Sequence, residues 1–195
     1  MTRAAILDAA WEVARADGIA GLTLRAVAGR VGMRAPSLYS HFASKHDIYD
    51  AMFGQAWQAY DDSFAALDLP DDPREVLRLL ARTYVAFALA DLPRYQLMDQ
   101  RVIADFQPGP ENYAPAVRVL ERFRTTYARI AGEVRDDDVD LFIVMLSGLV
   151  GTQWSNDPGG TRYVRQIDRL VDMLADEFGL PGSPVPAGLP QEERS

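Results

Sequence analysis

The chain has 195 residues, 48% of them hydrophobic, with a formal net charge of −8 and no cysteine. That length supports one large domain or two small ones with a real core, and the absence of cysteine excludes disulfides and thiolate metal sites. The longest apolar run, residues 141–151, includes Ser147 and is too short to span a bilayer, and Asp8 and Glu12 interrupt the opening segment where a secretory leader would be apolar, so a soluble cytoplasmic protein with no membrane partner is expected.

In chain order the reading is all-α, about nine helices, with no run of period-two alternation and no internal repeat. Residues 3–17 place Ile6, Leu7, Ala10, Val13 and Ala14 at helical spacing, and Gly18 ends that helix. Thr23 is a good N-cap for a second helix ending near Val31. Gly32 suits the tight turn that follows, and Pro36 is tolerated in the first turn of a third helix running to Phe42. Ser44 caps a fourth helix, with Asp47 three residues on, extending from Lys45 to about Leu67. Residues 68–73, with two prolines, break it. A fifth helix is expected over 74–90, a sixth from Pro93 to near Phe106, a loop over 107–113, and a seventh helix over 115–134. The acidic run 136–138 starts an eighth helix that ends near Ser155, as negative charge at a helix N-terminus should. Residues 156–160 break the chain again, and a ninth helix covers 161–178. The tail over 181–195, with four prolines, is expected to be disordered. The domain reading is therefore 1–47, 48–180 and the tail.

The most informative stretch is residues 23–45, a helix, a turn at Gly32, a short second helix and a capped start of a third. A short projecting helix bearing small polar and aromatic side chains suits the major groove of DNA. The charge distribution agrees. Residues 1–47 carry six bases and four acids, a net +2, which leaves −10 on the remainder of a chain at −8. A mildly basic head still senses the phosphate field locally, within a Debye length of about 10 Å.

Residues 4–53 resemble the tetracycline-repressor (TetR) family of bacterial transcription regulators. The resemblance rests on residues 6–10, 21–25 and 27–28, on Gly32, and on the unit Leu38-Tyr39-x-His41-Phe42-x-x-Lys45. It implies an N-terminal three-helix helix-turn-helix domain followed by a helical effector-binding and dimerisation domain. It also assigns roles. Thr23 caps the second helix and holds a phosphate; Arg25 reaches a guanine. Arg34, Ala35, Pro36, Ser37 and Ser40 form the groove-facing part of the recognition helix; Tyr39, His41 and Lys45 contact the backbone and set register. Two departures stand out. Ser40 occupies a position where an aromatic residue is common, and Ala35 is a poor N-cap, which leaves terminal N–H groups for a phosphate.

Beyond residue 62 the chain matches the family only in helix number and length. The plain reading of Tyr84, Phe87, Tyr95, Met98, Phe106, Phe123, Tyr127, Phe142, Met145 and Trp154 is a packed core. The resemblance implies that some of them line a pocket among helices five to eight for an apolar or aromatic effector, with Gln100, Arg101 or Arg82 as polar anchors. Gly148 and Gly151, about one turn apart on the eighth helix, permit close helix approach. The resemblance places them in a homodimer interface with Leu170, Val171, Leu174 and Phe178 of the ninth. It further implies a pendulum-like motion of the fourth helix, through residues 49–60. No cofactor is expected, and His41 and His46 lack partners at metal-ligand spacing. An enzyme reading finds no nucleophile–base pair and no phosphate loop. A helical small-molecule-binding protein with a vestigial DNA head is the alternative, and the intact Thr23, Gly32, Tyr39, His41 and Lys45 set weighs against it.

Overall fold

Side-chain oxygens close the helix starts, as the sequence suggests. In a computed structural model that describes residues 2–182 and 184, Thr2 Oγ1 accepts from the Ala5 N–H (3.3 Å), Thr23 Oγ1 from Ala26 (3.1 Å) and Ser44 Oγ from Asp47 (3.1 Å). The described residues form nine α-helices and no strand: α1 Arg3–Asp17, α2 Leu24–Arg30, α3 Ala35–Leu38, α4 Lys45–Ala65, α5 Pro73–Leu89, α6 Leu92–Asp99, α7 Pro110–Ala131, α8 Asp136–Asn156 and α9 Ile167–Glu177. The tail expected beyond residue 181 lies, at 183 and from 185 onward, outside the described residues.

Contacts divide the chain into two compact units. One comprises residues up to 67 with 86–123, the other residues 68–85 with those from 124 onward. In the first unit α1 packs on α2, α4 and α6, and α2 on α3. Ile6, Ala10, Val13, Leu22, Val27, Leu38, Phe42, Ile48 and Met52 fill the centre of the head at 2% exposure or less. Each large side chain of this kind contributes about 1.5–3 kcal/mol when fully buried. The Tyr49 hydroxyl donates to Ile19 O (2.8 Å) and Trp11 Nε1 to Gln55 Oε1 (3.1 Å), which fastens α4 to α1 and the turn after it.

Four expected boundaries are corrected. The third helix spans only 35–38, not 36–42, and its N-cap is Arg34 rather than Ala35. Past Leu38 the chain tightens, because the His41 and Phe42 amides both go to Leu38 O and Ser40 Oγ takes Ser37 O (2.8 Å). The sixth helix stops at Asp99 rather than near Phe106; the segment after it turns at Asp105, a non-glycine at φ 56°, and delivers Phe106 to the aromatic side of α4. The seventh helix starts at Pro110, inside the expected loop, and carries Pro115 within it. Pro115 has no N–H to give to the Glu111 carbonyl, so the first turn of α7 lacks one intrahelical bond. The ninth begins at 167, after a 3-10 turn at Val164–Gln166. Gln153, 1% exposed, accounts for that delay: its Oε1 accepts from the Tyr163 and Val164 amides and its Nε2 donates to Gly160 O (3.1 Å), which fastens the turns of the loop to α8.

Candidate nucleic-acid interface

The turn that presents the recognition helix depends on Gly32, at φ 69°, a conformation costly for residues with a Cβ. With Leu38 and Phe42 buried beneath it, α3 turns Pro36, Ser37, Tyr39 and Ser40 outward, and Tyr39 is 56% exposed. Arg34 is exposed at the N-terminal end of α3 and Arg25 is exposed in the first turn of α2; Ala35, His41 and Lys45 are half-buried beside them. The ten candidate DNA contacts therefore lie on or next to one projecting feature.

Ion pairing separates the head's cations into two sets. Arg15 is bound to Asp91 (2.9 Å) and Arg30 to Glu12 (3.3 Å). Arg3 donates to His41 O (2.7 Å) and lies over the Phe42 ring (4.1 Å), so it braces the end of the recognition segment. Among the described residues, Arg25, Arg34 and Lys45 have no carboxylate within salt-bridge distance; Lys45 Nζ sits 5.4 Å from the Tyr49 ring centroid. The three uncommitted cations are those flanking α3. Their N–H groups can meet phosphate oxygens, and the two arginines have the planar fork that matches O6 and N7 of guanine. Ser40 differs from its expected role in one respect. Its hydroxyl hydrogen is given to Ser37 O, which leaves it an acceptor only.

The residues expected to line a pocket fall in both units. Phe87, Tyr95, Met98, Phe106 and Phe123 belong to the first unit, and Tyr84, Tyr127, Phe142 and Met145 to the second. Tyr84, Tyr95, Phe123, Tyr127 and Phe142 are buried. The Tyr127 hydroxyl donates to Asp138, and burial followed by that carboxylate pushes the phenol well above its ordinary pKa. Met98 and Phe106, with Gln100 and Arg101, line a cleft of about 200 Å³ between α4, α6 and the start of α7. Arg82 is paired with Asp168 (2.6 Å).

Of the six expected interface positions, Val171 and Phe178 are buried within their own unit, Phe178 edge-on to Tyr127 at 5.8 Å. Gly148 is exposed, and a Cβ there would meet open space; Gly151, Leu170 and Leu174 are half-buried. Leu141 (44%), Val144 (67%) and Met173 (60%), not singled out from the sequence, are exposed on the same two helices. Residues 141, 144 and 148 follow one helical stripe, a pattern legible in the sequence. Asp61, buried on α4 and bound by Arg118 (3.0 Å) and Arg122 (3.1 Å), was also missed.

Comparison with known proteins follows this geometry. The family model for bacterial regulatory proteins of the tetR family matches residues 6–52. The class A tetracycline repressor from transposon 1721 of Escherichia coli is 33% identical over 180 residues, covering 89% of this chain and 79% of the repressor. A regulatory protein of the tetR family from Rhodococcus RHA1 superimposes with a TM-score of 0.65 at 18% identity, covering 93% of this chain and 100% of that one. The regulator FadR of Bacillus subtilis, solved in complex with stearoyl-CoA, superimposes at 0.60 with 16% identity, covering 89% and 97%.

Proposed function

The chain belongs to the tetR family of bacterial regulatory proteins, and from that premise we propose that it is a homodimeric repressor that binds a near-palindromic operator and is released by a small apolar or aromatic effector. The observation that carries this reading is the uncommitted trio Arg25, Arg34 and Lys45 around the exposed Tyr39. Two-fold symmetry would set two recognition helices about 34 Å apart, one turn of DNA. The dimer is supported by the exposed stripe of Leu141, Val144 and Gly148 on α8 with Met173 on α9, an apolar surface whose small residue admits a second helix closely.

Release requires that the effector favour a state with a different head separation, and DNA affinity falls only as far as that preference goes. The family likeness supports ligand response, and the FadR structure shows that one protein of this fold holds an acyl-CoA. Among the described residues no helix is long and apolar enough to cross a membrane, which fits action on cytoplasmic DNA.

The test is selection of bound fragments from the source genome by the purified protein at near-physiological salt. A few enriched sites sharing an inverted repeat are expected. Uniform weak binding with no shared repeat would overturn the operator reading and favour a ligand-binding protein with a vestigial head.

A further inference from the structure

The recognition segment is poor in side chains that accept hydrogen bonds. Residues 33–42 contain no aspartate, glutamate, asparagine or glutamine. Arg25, Arg34 and Lys45, which flank α3, can only donate. The oxygen and nitrogen acceptors carried by side chains of this segment are those of Ser37, Tyr39, Ser40 and His41.

Ser40 stands apart from the other three. Its Oγ donates to Ser37 O at 2.8 Å. A carbonyl oxygen has no proton to give, so the hydroxyl hydrogen belongs to this bond and two lone pairs remain. The backbone around it is held. The His41 and Phe42 amides both go to Leu38 O, so neither serves the Ser37 carbonyl. Leu38 and Phe42 are buried, at 0% and 2% exposure. Arg3 Nη1 donates to His41 O (2.7 Å) with its guanidinium over the Phe42 ring (4.1 Å), which ties the residues after Ser40 to α1. Ser40 itself is exposed.

An exposed hydroxyl that only accepts is a selective reader. Phosphate oxygens are acceptors and offer it nothing. So are guanine O6 and N7, thymine O4 and adenine N7. The donors on base edges in the major groove are the amino groups at adenine N6 and cytosine N4. On the operator-binding reading, on which this rests, we propose that Ser40 is a specificity-determining residue whose Oγ accepts a hydrogen bond from the exocyclic amino group of one adenine or cytosine in each half-site. It complements Arg25, whose fork donates to guanine.

The operator recovered by the genome selection supplies the probe. Each adenine in turn is replaced in both half-sites by purine, which lacks the N6 amino group, and each cytosine by 2-pyrimidinone, which lacks the N4 amino group. Binding of the full-length protein is followed by fluorescence anisotropy. At one position, loss of the amino group is expected to weaken the wild type about three- to tenfold per half-site and to leave Ser40→Ala unaffected. The analogue that produces this response identifies the base. Ser40→Thr keeps a hydroxyl able to reach a carbonyl one turn back and is expected to respond as the wild type does. If Ser40→Ala responds to every replacement as the wild type does, the proposal is overturned. A loss in Ser40→Ala that is equal on all duplexes overturns it too, because Ser40 then only supports the segment. So does a wild-type response to 7-deazaguanine that Ser40→Ala abolishes, because that analogue removes an acceptor. A selection that yields no operator overturns the DNA reading and the role of Ser40 with it; an operator without the Ser40 response overturns the role of Ser40 alone.

Discussion

Arg78 on α5 and Asp172 on α9 form an ion pair in which both side chains are buried, at 3% and 8% exposure. It is the middle rung of three. Arg74 pairs with Asp176 one turn to one side and Arg82 with Asp168 one turn to the other, both at 2.6 Å. The arginines recur every four residues along α5 and the aspartates every four along α9 in the opposite sense, so the rungs fix an antiparallel register. Desolvation by burial opposes the charge on Arg78, but the hydrogen bonds its guanidinium donates to Asp172 and Glu75 hold it above its ordinary pKa.

The rungs should differ sharply in weight. Asp172→Ala takes a carboxylate partner from the buried Arg78 guanidinium and is expected to cost about 3 kcal/mol in denaturant unfolding. Asp168→Ala removes a half-exposed pair and should cost ~1 kcal/mol or less. Equal effects would show that burial does not govern this ladder.

The close approach of Asn112 to Gly54, which lets Asn112 Nδ2 donate to Asp50 (2.6 Å), is testable by a double-mutant cycle. Gly54→Ala should destabilise by about 1–3 kcal/mol because the new methyl meets Asn112. In an Asn112→Ala background the same change should cost clearly less. A constant cost in both backgrounds would remove the Asn112 contact as the reason for glycine.

On operator DNA, Lys45→Ala should lower affinity for all sequences alike and reduce the salt slope by about 2 per dimer, one phosphate per subunit. Arg25→Lys should instead relax preference at one base, by about 1–3 kcal/mol, since lysine lacks the bidentate fork. A sequence-independent loss for both variants would deny Arg25 a base contact.

Val144→Glu should leave the thermal stability of the isolated chain within about 0.5 kcal/mol, because Val144 is 67% exposed. If α8 meets its copy across a two-fold axis, the change brings two carboxylates together, and sedimentation should show monomers. A persisting dimer would put the interface elsewhere.

Asp157 should titrate below the usual carboxylate range. The Arg162 amide (2.8 Å) holds its ionised form first, and Gln153 Nε2 (3.1 Å) second. A depressed folded pKa contributes stability that is present above the unfolded value of ~3.9 and is lost as pH falls through the folded one. NMR titration of the carboxyl should show this, and Gln153→Ala should move the midpoint up; an unchanged midpoint would leave Arg162 as its sole support.

Much of the head was determined by local sequence. Thr23, Gly32 and Ser44 act on backbone groups within three residues of themselves, and the buried positions of α1 repeat at helical spacing, so no distant partner is needed to read them. The family likeness lay in the same segment. The tertiary structure alone decided what depends on residues far apart in the chain. Helix α6 ends at Asp99 and α7 starts at Pro110 where Phe106 meets Phe53 and the Gly109 N–H reaches Asp50, which binds residues 100–109 to α4 across some sixty residues of sequence. The ninth helix starts late because a buried glutamine ten residues upstream takes its amides. Which arginines remain free for DNA was equally hidden. Arg15 and Arg25 are alike in sequence, but Asp91 lies against one of them in space and, among the described residues, no carboxylate lies against the other.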